Sequence, residues 1–220
     1  MDEITKEWFD ASTVRVHRTS DLADWHTDEE LIRLSGAPKT SKLHVRLTDD
    51  GRIELVVTNQ DLLCEPMVRY ISQDEGGYVF EIHNAGFVLR PQFRRLGIGV
   101  RSVAMELHEA RRLDYFSKAT VNAVGDWHNK DGSEGLSGYY VWARMGFNAP
   151  LPPTMREHVR LPARCRQCAD MVELLSTDQG RDFWLRYGST IDLEFSLREP
   201  STSWVQFKRY AQERNIKVTP

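Results

Sequence analysis

The sequence predicts an α/β (α+β) fold, a mixed, largely antiparallel sheet flanked by helices, and three observations predict it. Two alternating apolar-polar runs, KLHVRLT and RIELVVT, flank Asp49, Asp50 and Gly51, which is a strong hairpin signal. A further run over 78–89 follows the turn residues Glu75, Gly76 and Gly77 and predicts a second hairpin. Beyond it, helix-length and strand-length patterns alternate, so strands and helices mix along the chain.

Element by element, residues 1–12 read as a loose lead-in. TVRVHR, residues 13–18, alternates as a strand does. DEELIRLS, residues 28–35, reads as a short helix with acids in its first turn, stopped by Gly36 and Pro38. Residues 62–71 fit neither period. Val100, Val103, Leu107 and Ala110 mark one face of an amphipathic helix that ends near Leu113. Residues 116–124 read as a strand, 125–135 as a polar loop and 136–147 as a helix closed by Gly146. APLPP, residues 149–153, is a sharp break. It predicts a core domain over 1–150 and a mainly helical extension over 151–220, with helices in 163–187 and 204–215 and a strand at 191–197. Trp184, Tyr187, Trp204, Phe207 and Tyr210 recur as a core face of the extension helices.

Forty percent apolar residues in 220 suffice for a packed core, and a net charge of −3 gives no global argument for nucleic acid or an anionic membrane. No apolar run reaches the ~18 residues of a membrane-spanning helix. The acidic start MDEITKEWFD is unlike a signal peptide, and three cysteines fit a reducing compartment, so the expected location is cytoplasmic.

The stretch RPQFRRLGIG, residues 90–99, places two glycines at the start of a helix, where glycine is costly. The first N–H groups of a helix have no partner within it, and the helix dipole adds partial positive charge there. Such an end favours phosphate. Gly97 and Gly99 would admit a pyrophosphate close to the amides, and Arg90, Arg94 and Arg95 would add charge-assisted bonds. No GK[ST] follows, so this is no P-loop, and GxGxxG is absent.

Arg94, Arg95, Leu96, Gly97, Ile98 and Gly99 resemble the [QR]xxGx[GA] motif of the GNAT family of N-acetyltransferases. Residues 142–147, WARMGF, are similar to that family's YxxxGF segment, and the intervening order of helix, strand and helix matches as well. The resemblance covers roughly residues 13–150. It implies that the loop wraps the pyrophosphate of acetyl-CoA and that the backbone of Val88, Leu89 and Arg90 pairs with the pantetheine arm. It also implies direct attack of a primary amine on the thioester. The family's base position, eleven residues before Arg94, holds His83, with Glu81 on the same strand face. The family's acid position holds Trp142, whose indole is no acid at neutral pH, so Tyr139 and Tyr140 become the alternatives. The same tyrosines also suit a core. This departure supports a rival reading, a non-catalytic acyl-CoA-binding module. A third reading makes the basic stretch a polyanion or protein interaction surface.

The acceptor is not readable from the chain, and small amines, antibiotics, peptide N-termini and lysines all stay open. Three roles stay open for the extension: completing the sheet, capping the acceptor site or forming a homodimer. The loop residues Asp126, Trp127, His128 and Asp131 are further candidates for an acceptor site. Cys165 and Cys168 form a lone CxxC without the two further ligands zinc needs, so no metal is expected.

Overall fold

The computed structural model describes residues 1–73, 76, 79–126 and 137–218. The predicted turn at residues 75 and 77 and the loop residues Trp127, His128 and Asp131 lie outside these. The chain forms two compact units, residues 1–119 with 214–220, and residues 120–213. The fold class is the α/β one the sequence predicts, with a mixed, largely antiparallel sheet flanked by helices.

In the first unit, strands β1 (Arg15–Arg18), β2 (Lys42–Leu47), β3 (Ile53–Thr58), β4 (Met67–Gln73) and β5 (Val79–Gly86) lie side by side in chain order. β1 and β2 are parallel and the remaining pairs antiparallel. The hairpin between β2 and β3 turns at Gly51, whose φ of +80° suits glycine. Register places Leu43, Val45, Leu55, Val57, Met67, Ile71 and Ile82 on one face, all buried. Helices α2 (Asp28–Ser35) and α3 (Ile98–Leu113) supply Leu31, Leu34, Val103 and Leu107 to the same core. α2 starts on a Thr27–Glu30 capping box and stops at Gly36 in the left-handed region, where a side chain would collide with the Ser102 carbonyl.

Two segments differ from expectation. The lead-in contains helix α1 (Glu3–Trp8), capped by Asp2, and the buried Phe9 just beyond it ties it to Leu62 and Ile98. Residues 62–71, which have no clear period, contain most of β4. Its core face carries Arg69 where alternation calls for a hydrophobe, which hides the strand.

Arg69 is fully buried and has partners for its charge. It donates to Asn84 Oδ1 (2.9 Å), the Leu34 carbonyl (2.7 Å) and Ser102 Oγ (3.3 Å), and lies 3.2 Å from Glu106 Oε2. Asn84 donates to Glu106 Oε1 at 2.8 Å. Burial pushes the Arg69 pKa down and the Glu106 pKa up, and each charge opposes the other's shift. One buried ion pair thereby joins β4, β5, α2 and α3.

β6 (Lys118–Asp126) begins in the first unit and runs into the second, where it neighbours β7 (Ser189–Ser196). Helices α4 (Gly138–Arg144), α5 (Pro153–Arg156), α6 (Met171–Leu175), α7 (Asp178–Tyr187) and α8 (Thr202–Glu213) complete this unit. Its core is aromatic: Phe195 packs against Phe147, Trp204 and Phe207, with Tyr139 on Trp184. Trp184, Trp204 and Phe207 of the predicted core face are buried. The break at 149–153 lies inside this unit, where Asn148 and Pro150 form bridges to Glu194 and Asp170.

Candidate functional site

The site grows from the irregular end of β5. Val68 pairs with Gly86 while Arg69 pairs with Asn84, so Ala85 is one residue too many and the strand bulges there. The buried guanidinium of Arg69 holds Asn84 and therefore the bulge. The chain then leaves the ladder, and Leu89 makes a single antiparallel bridge with Leu63. Cys64 N–H donates to the Val88 carbonyl and Arg90 N–H to the Leu62 carbonyl, each at 2.9 Å. Of the three residues expected to pair with a pantetheine arm, Val88 has its C=O and Arg90 its N–H turned inward. Leu89 directs both of its backbone groups away from that bridge.

A 3-10 turn over Pro91–Phe93 leads to Arg95 and Gly97, both in the left-handed region at φ +64° and +78°. For a residue with a Cβ that conformation costs about 1–2 kcal/mol, so Arg95 is held there by the turn. α3 starts directly after Gly97. It is the longest helix among the described residues, and no side chain caps its N-terminus, whereas Thr27 and Thr177 cap α2 and α7. Its first N–H groups therefore present partial positive charge without a side-chain acceptor. Ile98 is buried with Phe9 and Leu62 and fixes the first turn.

The two glycines differ. A Cβ on Gly97 would stand 2.4 Å from Arg101 Nη1. Arg101 folds back over the helix start, donates to the Gly97 carbonyl at 3.2 Å and bonds Asp2 through Nε at 3.0 Å. Gly97 is therefore required by its φ and by Arg101. A Cβ on Gly99 would meet only Phe87 and Leu89, at ordinary contact distances of 3.6–3.7 Å. Neither its dihedral nor its neighbours therefore require glycine at 99.

The three arginines also divide. Arg90 donates to the Gln60 carbonyl and Arg94 to the Leu89 carbonyl, both at 2.9 Å, so they brace the loop. Arg95 and the neighbouring Leu96 are exposed.

Glu81 and His83 share one face of β5, the one opposite the core. Glu81 pairs with Lys118 at 3.5 Å, and His83 stands half-buried opposite Tyr70 in the ladder. Register extends this row through Tyr70 to Glu54 and Arg46. Glu54 is almost fully buried beside Arg46, and its hydrogen bond pushes the Tyr70 pKa up, with burial adding to it. Glu54 and Tyr70 were missed from sequence. The available signal was a lone acid inside the apolar run IELVV.

In the second unit, Tyr139 is fully buried and its hydroxyl donates to the Leu185 carbonyl at 2.8 Å. Tyr140 is half-buried and its hydroxyl accepts from Arg144 at 3.3 Å. Trp142 packs edge-on against Phe147. Cys165 is buried, and burial followed by the neighbouring Cys165 pushes the Cys168 thiol pKa up. Among the described residues no group of three or more His, Cys, Asp or Glu side chains could hold a metal ion, and no helix is long and apolar enough to cross a membrane.

No family model matches the sequence, and no curated protein matches it. Among solved structures, the chain is similar to the loading GNATL domain of CurA from Lyngbya majuscula. Identity is 10%, coverage is 66% of this chain and 76% of that one, and the TM-score is 0.31. A likeness at that TM-score carries no functional argument.

Proposed function

We propose that this chain is a GNAT-type acyltransferase that binds acetyl-CoA at the start of α3 and serves a primary amine as acceptor. The observation that carries the reading is the uncapped N-terminus of α3, entered through Arg95 and Gly97 in the left-handed region and lined by the unobstructed Gly99. The amides of Ile98 and Gly99, with the Arg95 guanidinium, would hold the pyrophosphate. Leu89, whose N–H is turned outward and whose carbonyl already accepts from Arg94 Nε, would pair with the pantetheine arm through that N–H. Bound acetyl-CoA supplies the activated acyl group.

His83, an imidazole on the open strand face, takes the proton from the amine directly or through water, with Glu81 as its neighbour. The Tyr139 hydroxyl proton is committed to the Leu185 carbonyl, so of the two tyrosines that the family resemblance offers as acid, Tyr140 is the one whose hydroxyl accepts instead. A cytoplasmic location and a homodimeric assembly belong to this reading as expectations. The non-catalytic acyl-CoA module is the second reading, favoured by Trp142.

Calorimetric titration of acetyl-CoA, followed by thiol-release assays over an amine panel, tests both. Micromolar binding with turnover supports the enzyme, and binding without turnover supports the module. Absence of binding removes the reading.

A further inference from the structure

The open face of the first unit's sheet carries cations arranged in a way the rest of that face avoids. Arg15 and Lys42 stand directly opposite each other on β1 and β2, and both are exposed. Like charges in register on neighbouring strands destabilise a sheet. In the next row of the same face, His17 stands opposite His44, also exposed, with rings stacked 5.1 Å apart at 17°. The residues beside them on β3 are Thr58 and Val56, both uncharged. Elsewhere on this side of the hairpin the cations have acids: Arg46 pairs with Glu54 and Arg52 with Asp50. Neither Arg15 nor Lys42 has an ion-pair partner among the described residues. Charge on an edge strand can protect it from pairing, and that accounts for Arg15. It does not account for Lys42, because β2 is covered on both sides by β1 and β3.

We infer that Arg15, Lys42, His17 and His44 form an anion site whose ligand is a soluble phosphate-bearing molecule. Strand spacing and side-chain period set the tile at about 4.8 by 6.7 Å. The oxygens of one phosphate can accept from both cationic heads and an imidazole N–H across that span. The dianion removes the repulsion between Arg15 and Lys42, so the arrangement that costs stability without ligand becomes an attraction with it. Leu47, exposed at the end of β2, lies on the other side of the strand from Lys42 and His44, and no other exposed large hydrophobe among the described residues is on β1, β2 or β3, whereas a lipid surface would need one to anchor. This site is distinct from the start of α3, and the inference stands independently of the acyltransferase reading.

The test follows the imidazole C2–H resonances of His17 and His44 by NMR as sodium phosphate is added at pH 7 and constant ionic strength. Sodium chloride is the reference salt, and His108 and His158 are internal controls. The expected result is a saturable shift of His17 and His44 alone, with half-saturation in the millimolar range. In Arg15→Gln/Lys42→Gln the apparent affinity falls about tenfold, since roughly 0.5–1 kcal/mol is lost per exposed charge. Both residues are exposed, so the variant retains the fold, and unchanged remaining resonances verify this. Equal shifts in chloride, or an unchanged half-saturation in the double variant, overturn the inference. A second arm adds vesicles containing phosphatidic acid. Sedimentation with vesicles while free phosphate leaves both histidines unmoved overturns the soluble-ligand assignment.

Discussion

Replacing Gly99 with Asp separates the phosphate cradle from a mere tight turn. A Cβ at residue 99 meets Phe87 and Leu89 at 3.6–3.7 Å, so the side chain enters without displacing anything. Residue 99 is the second residue of α3, where the helix dipole favours a carboxylate by about 0.3–1 kcal/mol. Stability should therefore hold or rise, moving Tm up by at most ~4 °C for a chain of this size. Affinity for acetyl-CoA should behave in the opposite way. A carboxylate about 4 Å from a phosphate charge costs about 4 kcal/mol at an effective dielectric constant of 20, which is roughly a 10³-fold loss of affinity. The assay is calorimetric titration of acetyl-CoA into wild type and Gly99→Asp, with thermal unfolding of both. Gly97→Ala is the control for strain. At φ +78° and 2.4 Å from Arg101 it should lose about 1–2 kcal/mol of stability. A Gly99→Asp protein that is folded and binds within about threefold of wild type refutes the argument, because a 4 kcal/mol repulsion cannot leave so small a trace.

Asp2→Asn tests the contact between α1 and the start of α3. Burial pushes the Asp2 pKa up, but hydrogen bonds from the Lys217 N–H, Arg101 and the Thr5 N–H outweigh it and hold it at about 2, against an ordinary 3.8. A lowered folded-state pKa means stability present above pH ~4 and lost as pH falls through 2, so the variant should be about 2 kcal/mol less stable at pH 6 and equal to wild type only below pH 2. Denaturant midpoints across that range check it, and a gap that does not narrow in acid contradicts it. Arg69→Met strands Glu106 in the core and should cost about 3–5 kcal/mol, with Arg69→Met/Glu106→Gln recovering part. A loss below 1 kcal/mol by urea unfolding would show that the network carries little of the fold. Tyr139→Phe should lower stability by about 1 kcal/mol and leave turnover intact, while Tyr140→Phe should lower kcat with stability unchanged. The reverse pattern would reassign the proton donor.

Local signals in the chain determined much of this protein. Alternation around Asp49, Asp50 and Gly51 identified the first hairpin, and the acids and Gly36 bounded α2 at residues 28–35, because turn and cap chemistry act over a few neighbours. The strand-to-helix passage at 90–99 was legible for the same reason, since a positive φ at a helix entry selects glycine locally. What only the tertiary structure decided depends on distant partners. β4 was hidden because Arg69 breaks the apolar period, and its charge is tolerated only where Glu106, Asn84 and the Leu34 carbonyl converge from three other elements. The setting of α1 depends on Asp2 finding Arg101, 99 residues on, and Lys217, 215 residues on. The two motif glycines look alike in the sequence, yet Gly97 serves its own dihedral and a returning arginine, while a side chain at Gly99 would meet its neighbours only at ordinary contact distances. Periodicity shows which way a residue points, and packing decides what it meets.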